Sequence, residues 1–124
     1  MAASNQVSGE FSFKAITITQ IPGPAGGVLT QVNWEGTAAG FGAVFSTTTY
    51  SGHKTGTFSE CAVSYSDNGD AISGIGQGTC ESDGKHHWST KAFMQLADGR
   101  KIAIEGQVDL ASRSYKGKVV REIG

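Results

Sequence analysis

The stretch CAVSYSDNGDAISGIGQGTCESDGKHHWSTKAFMQLADGRKIAIEGQVD, residues 61–109, decides the fold. It carries three turn signals, Asn68-Gly69, Asp83-Gly84 and Asp98-Gly99, each fifteen residues after the last, with strand-forming sequence between them. An Asn-Gly or Asp-Gly pair between alternating apolar runs marks a hairpin, because glycine there supplies the positive φ that the turn needs. The stretch therefore reads as a meander of antiparallel strands.

Side-chain phase follows from the last hairpin. In residues 101–109, Ile102, Ile104, Gly106 and Val108 share one face, and Lys101, Glu105, Gln107 and Asp109 share the other. Even-numbered residues thus point inward. A three-residue loop Ala97-Asp98-Gly99 pairs Met94 with Ile102, Ala92 with Ile104 and Trp88 with Val108. A two-residue turn would put Lys101 on the face of Leu96 and Trp88, which the hydrophobic pattern rejects. The same loop geometry at Ser82-Asp83-Gly84 and Asp67-Asn68-Gly69 keeps even numbers inward through four strands. It predicts inner rows with Phe58 beside Gly78 and Trp88, Glu60 beside Gly76 and Thr90, Ala62 beside Gly74 and Ala92, and Ser64 beside Ile72 and Met94.

Outside this stretch, breaks at Pro22 to Gly27, Ala38 to Gly42, Ser51 to Lys54 and Ala111 to Arg113 complete a set of eight candidate strands. They lie near 9–20, 28–37, 43–50, 55–66, 70–81, 86–96, 101–109 and 114–122. A length of 124 residues bounds the chain to one domain, 1–124, with 1–8 as a flexible N-terminal segment. Eighteen glycines against three leucines exclude a helical bundle. Long strands in sequential order suit a closed, eight-stranded antiparallel up-and-down barrel, which leaves no exposed sheet edge.

Gly74, Gly76 and Gly78 strip side chains from one inner wall. Two readings follow: Trp88 and Phe58 lie over the bare backbone and fill it, or a ligand cavity runs along the barrel axis. In the second, Phe58, Trp88, Met94 and Tyr115 form apolar walls, and Glu60 or Thr90 is the polar anchor. Glu60 is the chemically notable residue, since an inward carboxylate is desolvated and its pKa rises. The alternatives are an internal ion pair with Arg121, if Tyr115, Gly117 and Val119 face inward on the last strand, or a bulge that turns Glu60 outward. Cys80 and His86 come out as cross-strand neighbours at one barrel mouth, with His53 in a turn at the same end. They could form a nucleophilic pair or part of a metal site, but no Cys-x-x-Cys or His-x-x-x-His spacing accompanies them, and the expectation is no metal and no cofactor. Cys61 faces outward and out of register with Cys80, which excludes a disulfide between them.

Cys61, Val63, Tyr65, Ile75 and Phe93 fall together on the outer face, which points to a homo-oligomer or to cover by the N-terminal residues. Ten basic against eleven acidic residues, with no basic run longer than two, leave no footprint for nucleic acid or anionic lipid. No eighteen-residue apolar run spans a membrane. Met1 to Glu10 has neither the basic start nor the apolar stretch of an export signal, so a cytoplasmic location with reduced cysteines is expected.

Trp34-Glu35-Gly36-Thr37-Ala38-Ala39-Gly40, then Gly56-Thr57-Phe58, then Gly74-Ile75-Gly76-Gln77-Gly78 and the Asp-Gly hairpins resemble the small bacterial barrels related in fold to allene oxide cyclase, in the calycin-like group. The resemblance implies an eight-stranded calycin-like barrel with an apolar central pocket, often oligomeric, in a group that includes cyclases and isomerases. No catalytic set of that group matches residue by residue. The first function expected is binding of a small apolar molecule in the barrel. The alternative is a cofactor-free isomerase or cyclase acting on a hydrophobic substrate, with Glu60 as general acid or base. A purely structural, partner-binding barrel is the third.

Overall fold

The computed structural model describes residues 9–52 and 54–123. Eight strands, β1 (Glu10–Pro22), β2 (Val28–Ala38), β3 (Gly42–Ser51), β4 (Thr55–Tyr65), β5 (Ala71–Ser82), β6 (His87–Leu96), β7 (Lys101–Asp109) and β8 (Ser114–Ile123), follow one another in sequence order. Each pairs antiparallel with the next, and β1 closes the barrel against β8 from Glu10↔Lys118 to Lys14↔Ser114. The closed all-β meander that the turn spacing predicts is the architecture found. No helix of the described residues is long and apolar enough to cross a membrane.

Two of the three Asx-Gly hairpins have the expected three-residue loops. Ser66 N–H donates to Asp70 O at 3.0 Å and Leu96 N–H to Arg100 O at 2.8 Å, with Gly69 and Gly99 at φ 95° and 97°. The resulting registers pair Phe58 with Gly78, Glu60 with Gly76, Met94 with Ile102 and Trp88 with Val108, as derived from the pattern. Even-numbered residues of β4 to β7 face inward: Phe58, Glu60, Ser64, Thr90, Ala92, Met94, Ile102 and Ile104 are all buried.

The hairpin between β5 and β6 is different. Asp83 N–H donates to His87 O at 3.0 Å, so the three-residue loop is Gly84-Lys85-His86, two residues further along the chain than expected, and the strand pairing moves by four residues. Trp88 then lies opposite Ser82 rather than Gly78, Thr90 opposite Cys80, Met94 opposite Gly76 and Leu96 opposite Gly74. Packing explains the choice. A Cβ on Gly76 would come within 2.2 Å of the Met94 sulfur, and one on Gly74 within 2.9 Å of a Leu96 methyl. The bare backbone thus seats Met94 and Leu96, and this satisfies the core better than the expected register would. Because the slide is even, the inward face is unchanged and only neighbours differ. Cys80 and His86 are accordingly not cross-strand partners.

Two bulges set the remaining phases. At Ile16 the inward set of β1 switches from Phe11, Phe13 and Ala15 to Ile18 and Gln20. At Val120 the register of β8 shifts between Val119, opposite Ile104, and Arg121, opposite Ala103. The second bulge leaves Arg121 exposed on the outer face, so it does not neutralise Glu60. Above Lys14, β1 leaves β8, and the rest of β1 pairs only with β2. That hairpin forms a tall wall on one side of the barrel mouth.

Candidate functional site

The interior divides into three levels. At the waist, Tyr115 is 1% exposed, with ring centroids 5.0 Å from Phe11, 5.8 Å from Phe13 and 5.4 Å from Trp34. These rings close the axis. Gly106 and Gly117 make room for them, since a Cβ on either would meet Tyr115 or Phe11 at 2.7 Å. Phe58 completes the level by lying over Gly78 and 5.5 Å from the Tyr50 ring. The glycine wall is covered, as one of the two readings had it, by Phe58, while Met94 and Leu96 take the place that reading gave to Trp88.

Below the waist, at the end holding the β2–β3, β4–β5 and β6–β7 loops, lies a cavity of about 80 Å³. Phe13, Ala62, Ile72, Met94 and Leu96 line it with one acid, Glu60. Phe41 and Arg100 meet at this end, the guanidinium 5.3 Å from the ring centroid and 2.8 Å from Asp98 Oδ2.

Above the waist, the barrel opens into a cup of about 410 Å³, within the range of small-molecule sites, about 300–1,000 Å³. The β1–β2 hairpin supplies Ile18 and Val32, β3 supplies Tyr50, and β6 and β7 supply Trp88 and Val108. Trp34 and Cys80 also line it, and Lys54, His86, Leu110 and Arg113 stand around it on the loops, with Asp109 at the end of β7. The walls are mostly aromatic and aliphatic. His53 lies outside the described residues, so its place at this mouth is not assigned.

A polar cluster is embedded between the cup and the lower cavity. Glu60 is 4% exposed; its Oε2 accepts the Ser46 hydroxyl at 3.0 Å, and Oε1 has no partner among the described residues. Burial raises the Glu60 pKa to about 7, with the Ser46 bond opposing the shift. Thr48 stands directly across the strand pair from Glu60. The hydroxyls of Thr48, Thr90 and Tyr115 and the Trp34 indole N–H are likewise buried without a partner. Burial, then the nearby Glu60 charge, pushes the Tyr50 and Tyr115 phenols up. Such a cluster favours a neutral, protonated acid in the interior.

The residues singled out from sequence are thus distributed rather than gathered. Trp88 lines the cup, Glu60 and Met94 line the lower cavity, and Phe58, Thr90 and Tyr115 belong to the waist. Sequence reasoning missed Trp34, Tyr50, Lys54 and Arg113. Tyr50 was within reach: Val44, Ser46, Thr48 and Tyr50 continue the even inward phase across β3. Arg113 carried no signal, because its place depends on a loop conformation.

Cys61 and Cys80 are free thiols, the first exposed and the second buried in the cup wall. Cys80 Sγ lies 3.7 Å from Gly56 O, and burial raises its pKa, the reverse of an activated nucleophile. Among the described residues, no group of three or more His, Cys, Asp and Glu side chains is placed to hold a metal. On the outer surface Phe45, Tyr65, Ile75 and Phe93 are 48%, 51%, 68% and 60% exposed, and the Phe45 and Tyr65 rings pack edge to face at 6.0 Å. Comparison with protein-family models, curated proteins and solved structures finds no match to this chain.

Proposed function

We propose that the protein binds a small, largely apolar molecule in the cup above the barrel waist. The observation that carries this reading is a cavity of about 410 Å³, walled by Trp34, Tyr50, Trp88, Ile18, Val32 and Val108, opening at one end of the barrel above a waist closed by aromatic rings. A closed barrel supplies a rigid wall, so the apolar area is presented to the ligand at little conformational cost. Both tryptophans of the chain line the cup, which makes intrinsic fluorescence a direct reporter. Titration with N-phenyl-1-naphthylamine, a neutral apolar dye, should quench tryptophan emission saturably with energy transfer to the dye. Trp88→Ala should weaken uptake. Absence of saturable quenching would remove the reading.

A second reading, a cofactor-free isomerase or cyclase, draws its support from Glu60, whose pKa of about 7 suits general acid–base work at neutral pH. Its carboxyl borders the lower cavity rather than the cup, so this reading places the substrate's reacting end in the lower cavity. Glu60→Gln should then retain binding and lose turnover. The calycin-like resemblance is compatible with the closed meander and belongs to this proposal. So does the cytoplasmic location, with which two free thiols are consistent.

A further inference from the structure

The cup's rim is not neutral. Of its charged groups, Asp109, at the end of β7, is held by the turn that follows, accepting Ala111 N–H at 3.0 Å through one oxygen and the Ser112 hydroxyl at 3.1 Å through the other. Thr30 and Gln20 bond each other at 2.7 Å. Against this one carboxylate stand two cations, Lys54 and Arg113, and among the described residues neither has a carboxylate within ion-pair distance. This is a local excess, since the whole chain carries a net charge of -1.

Backbone conformation singles out the same rim. His86 (φ 61°) and Arg113 (φ 52°) are the two non-glycine residues at positive φ among those described, and both line the cup. L side chains disfavour that region, and it persists only where surrounding structure enforces it. For Arg113 the enforcement is visible: its N–H donates to Leu110 O at 3.2 Å and its carbonyl accepts Ala15 N–H at 3.0 Å, tying the loop to β1.

Resting on the cup as a binding site, we infer that its ligand is a small amphipathic monoanion, with its apolar body against Trp34, Tyr50 and Trp88 and its negative group at the rim on Arg113 and Lys54. A plain hydrocarbon would leave the rim, with two cations to one carboxylate, carrying an unmatched positive charge. A multiply charged, polar molecule would desolvate against the aromatic walls at a cost. One charge at one end of an apolar body satisfies both surfaces.

Two dyes on one skeleton test this: 8-anilinonaphthalene-1-sulfonate carries a single negative group, and N-phenyl-1-naphthylamine lacks it. The anionic dye is expected to bind more tightly by about fivefold or more at low salt, the size two half-exposed charge pairs supply. That preference should shrink as salt rises. In the Lys54→Gln, Arg113→Asn double variant the affinity ratio should fall toward one; asparagine tolerates the left-handed conformation at 113. Arg113→Lys, which keeps the charge, should retain most of the preference. Equal affinities in the natural protein, or a preference that survives the double variant, overturn the inference while leaving the cup reading intact. A preference lost in Phe93→Glu places the dye on the outer strip and overturns it as well. No saturable binding of either dye removes the cup reading itself.

Discussion

Replacing Glu60 by glutamine should abolish a pH dependence that the natural protein carries in its stability. The carboxyl is buried, has one hydroxyl donor and no cation within reach, and its pKa rises from 4.5 to about 7 on folding. A raised acid binds its proton more tightly in the folded state, so this stabilising contribution is fully present below pH 4.5 and is lost as pH climbs through about 7. At roughly 1.4 kcal/mol per pKa unit, the loss is on the order of 3 kcal/mol, about 10 °C in Tm for a chain of this size. Urea unfolding from pH 4.5 to pH 8, followed by tryptophan emission, measures it. Other titrating groups are shared by both proteins, so the difference between the two stability curves isolates residue 60. That difference should shift by about 3 kcal/mol toward the glutamine variant across the range, whatever constant offset an unpartnered amide adds. Parallel curves, or a difference of opposite slope, would refute a neutral buried acid.

Gly76→Ala should destabilise by about 2–3 kcal/mol, because the new methyl meets Phe93 O at 2.5 Å as well as the Met94 sulfur, and backbone does not yield. Gly74→Ala, whose nearest obstacle is a movable Leu96 methyl at 2.9 Å, should cost less than about 1 kcal/mol; equal costs in urea unfolding would contradict the β5–β6 register. Titration with a thiol-reactive disulfide reagent should show exposed Cys61 reacting fast and buried Cys80 slowly, with the naphthylamine dye slowing Cys80 further; a single fast phase for both counts against the wall position of Cys80. The exposed strip of Phe45, Tyr65, Ile75 and Phe93 is expected to mediate self-association, seen as an oligomer in sedimentation that Phe93→Glu dissociates. A natural protein sedimenting as a monomer at all concentrations would end that expectation.

The half of the chain with Asx-Gly turns was legible in detail. Gly69 and Gly99 fix three-residue loops, the loops fix register, and the alternation in β7 fixes which face is inward, which is how Glu60 could be placed in the interior from sequence. Asp83-Gly84 offers the same signal but leads into Lys85-His86, and the chain turns two residues later to seat Met94 and Leu96 on glycine. That preference comes from packing across strands, to which a local motif is blind. The bulges at Ile16 and Val120 were equally silent, because each follows from barrel closure rather than from neighbouring residues. The cup itself depends on them. Its tall wall exists because β1 changes phase and leaves β8, and its rim depends on His86 and Arg113 in conformations that their side chains do not advertise.

The indole N–H signals of Trp34 and Trp88 in a proton–nitrogen NMR spectrum test the binding cup most directly, since these are the two tryptophans of the chain and both border it. On titration with N-phenyl-1-naphthylamine, both resonances should shift together and saturate, along with the amides of Tyr50 and Val108. Unmoved indoles, with shifts confined to Ile75 and Phe93 on the outer face, would contradict it.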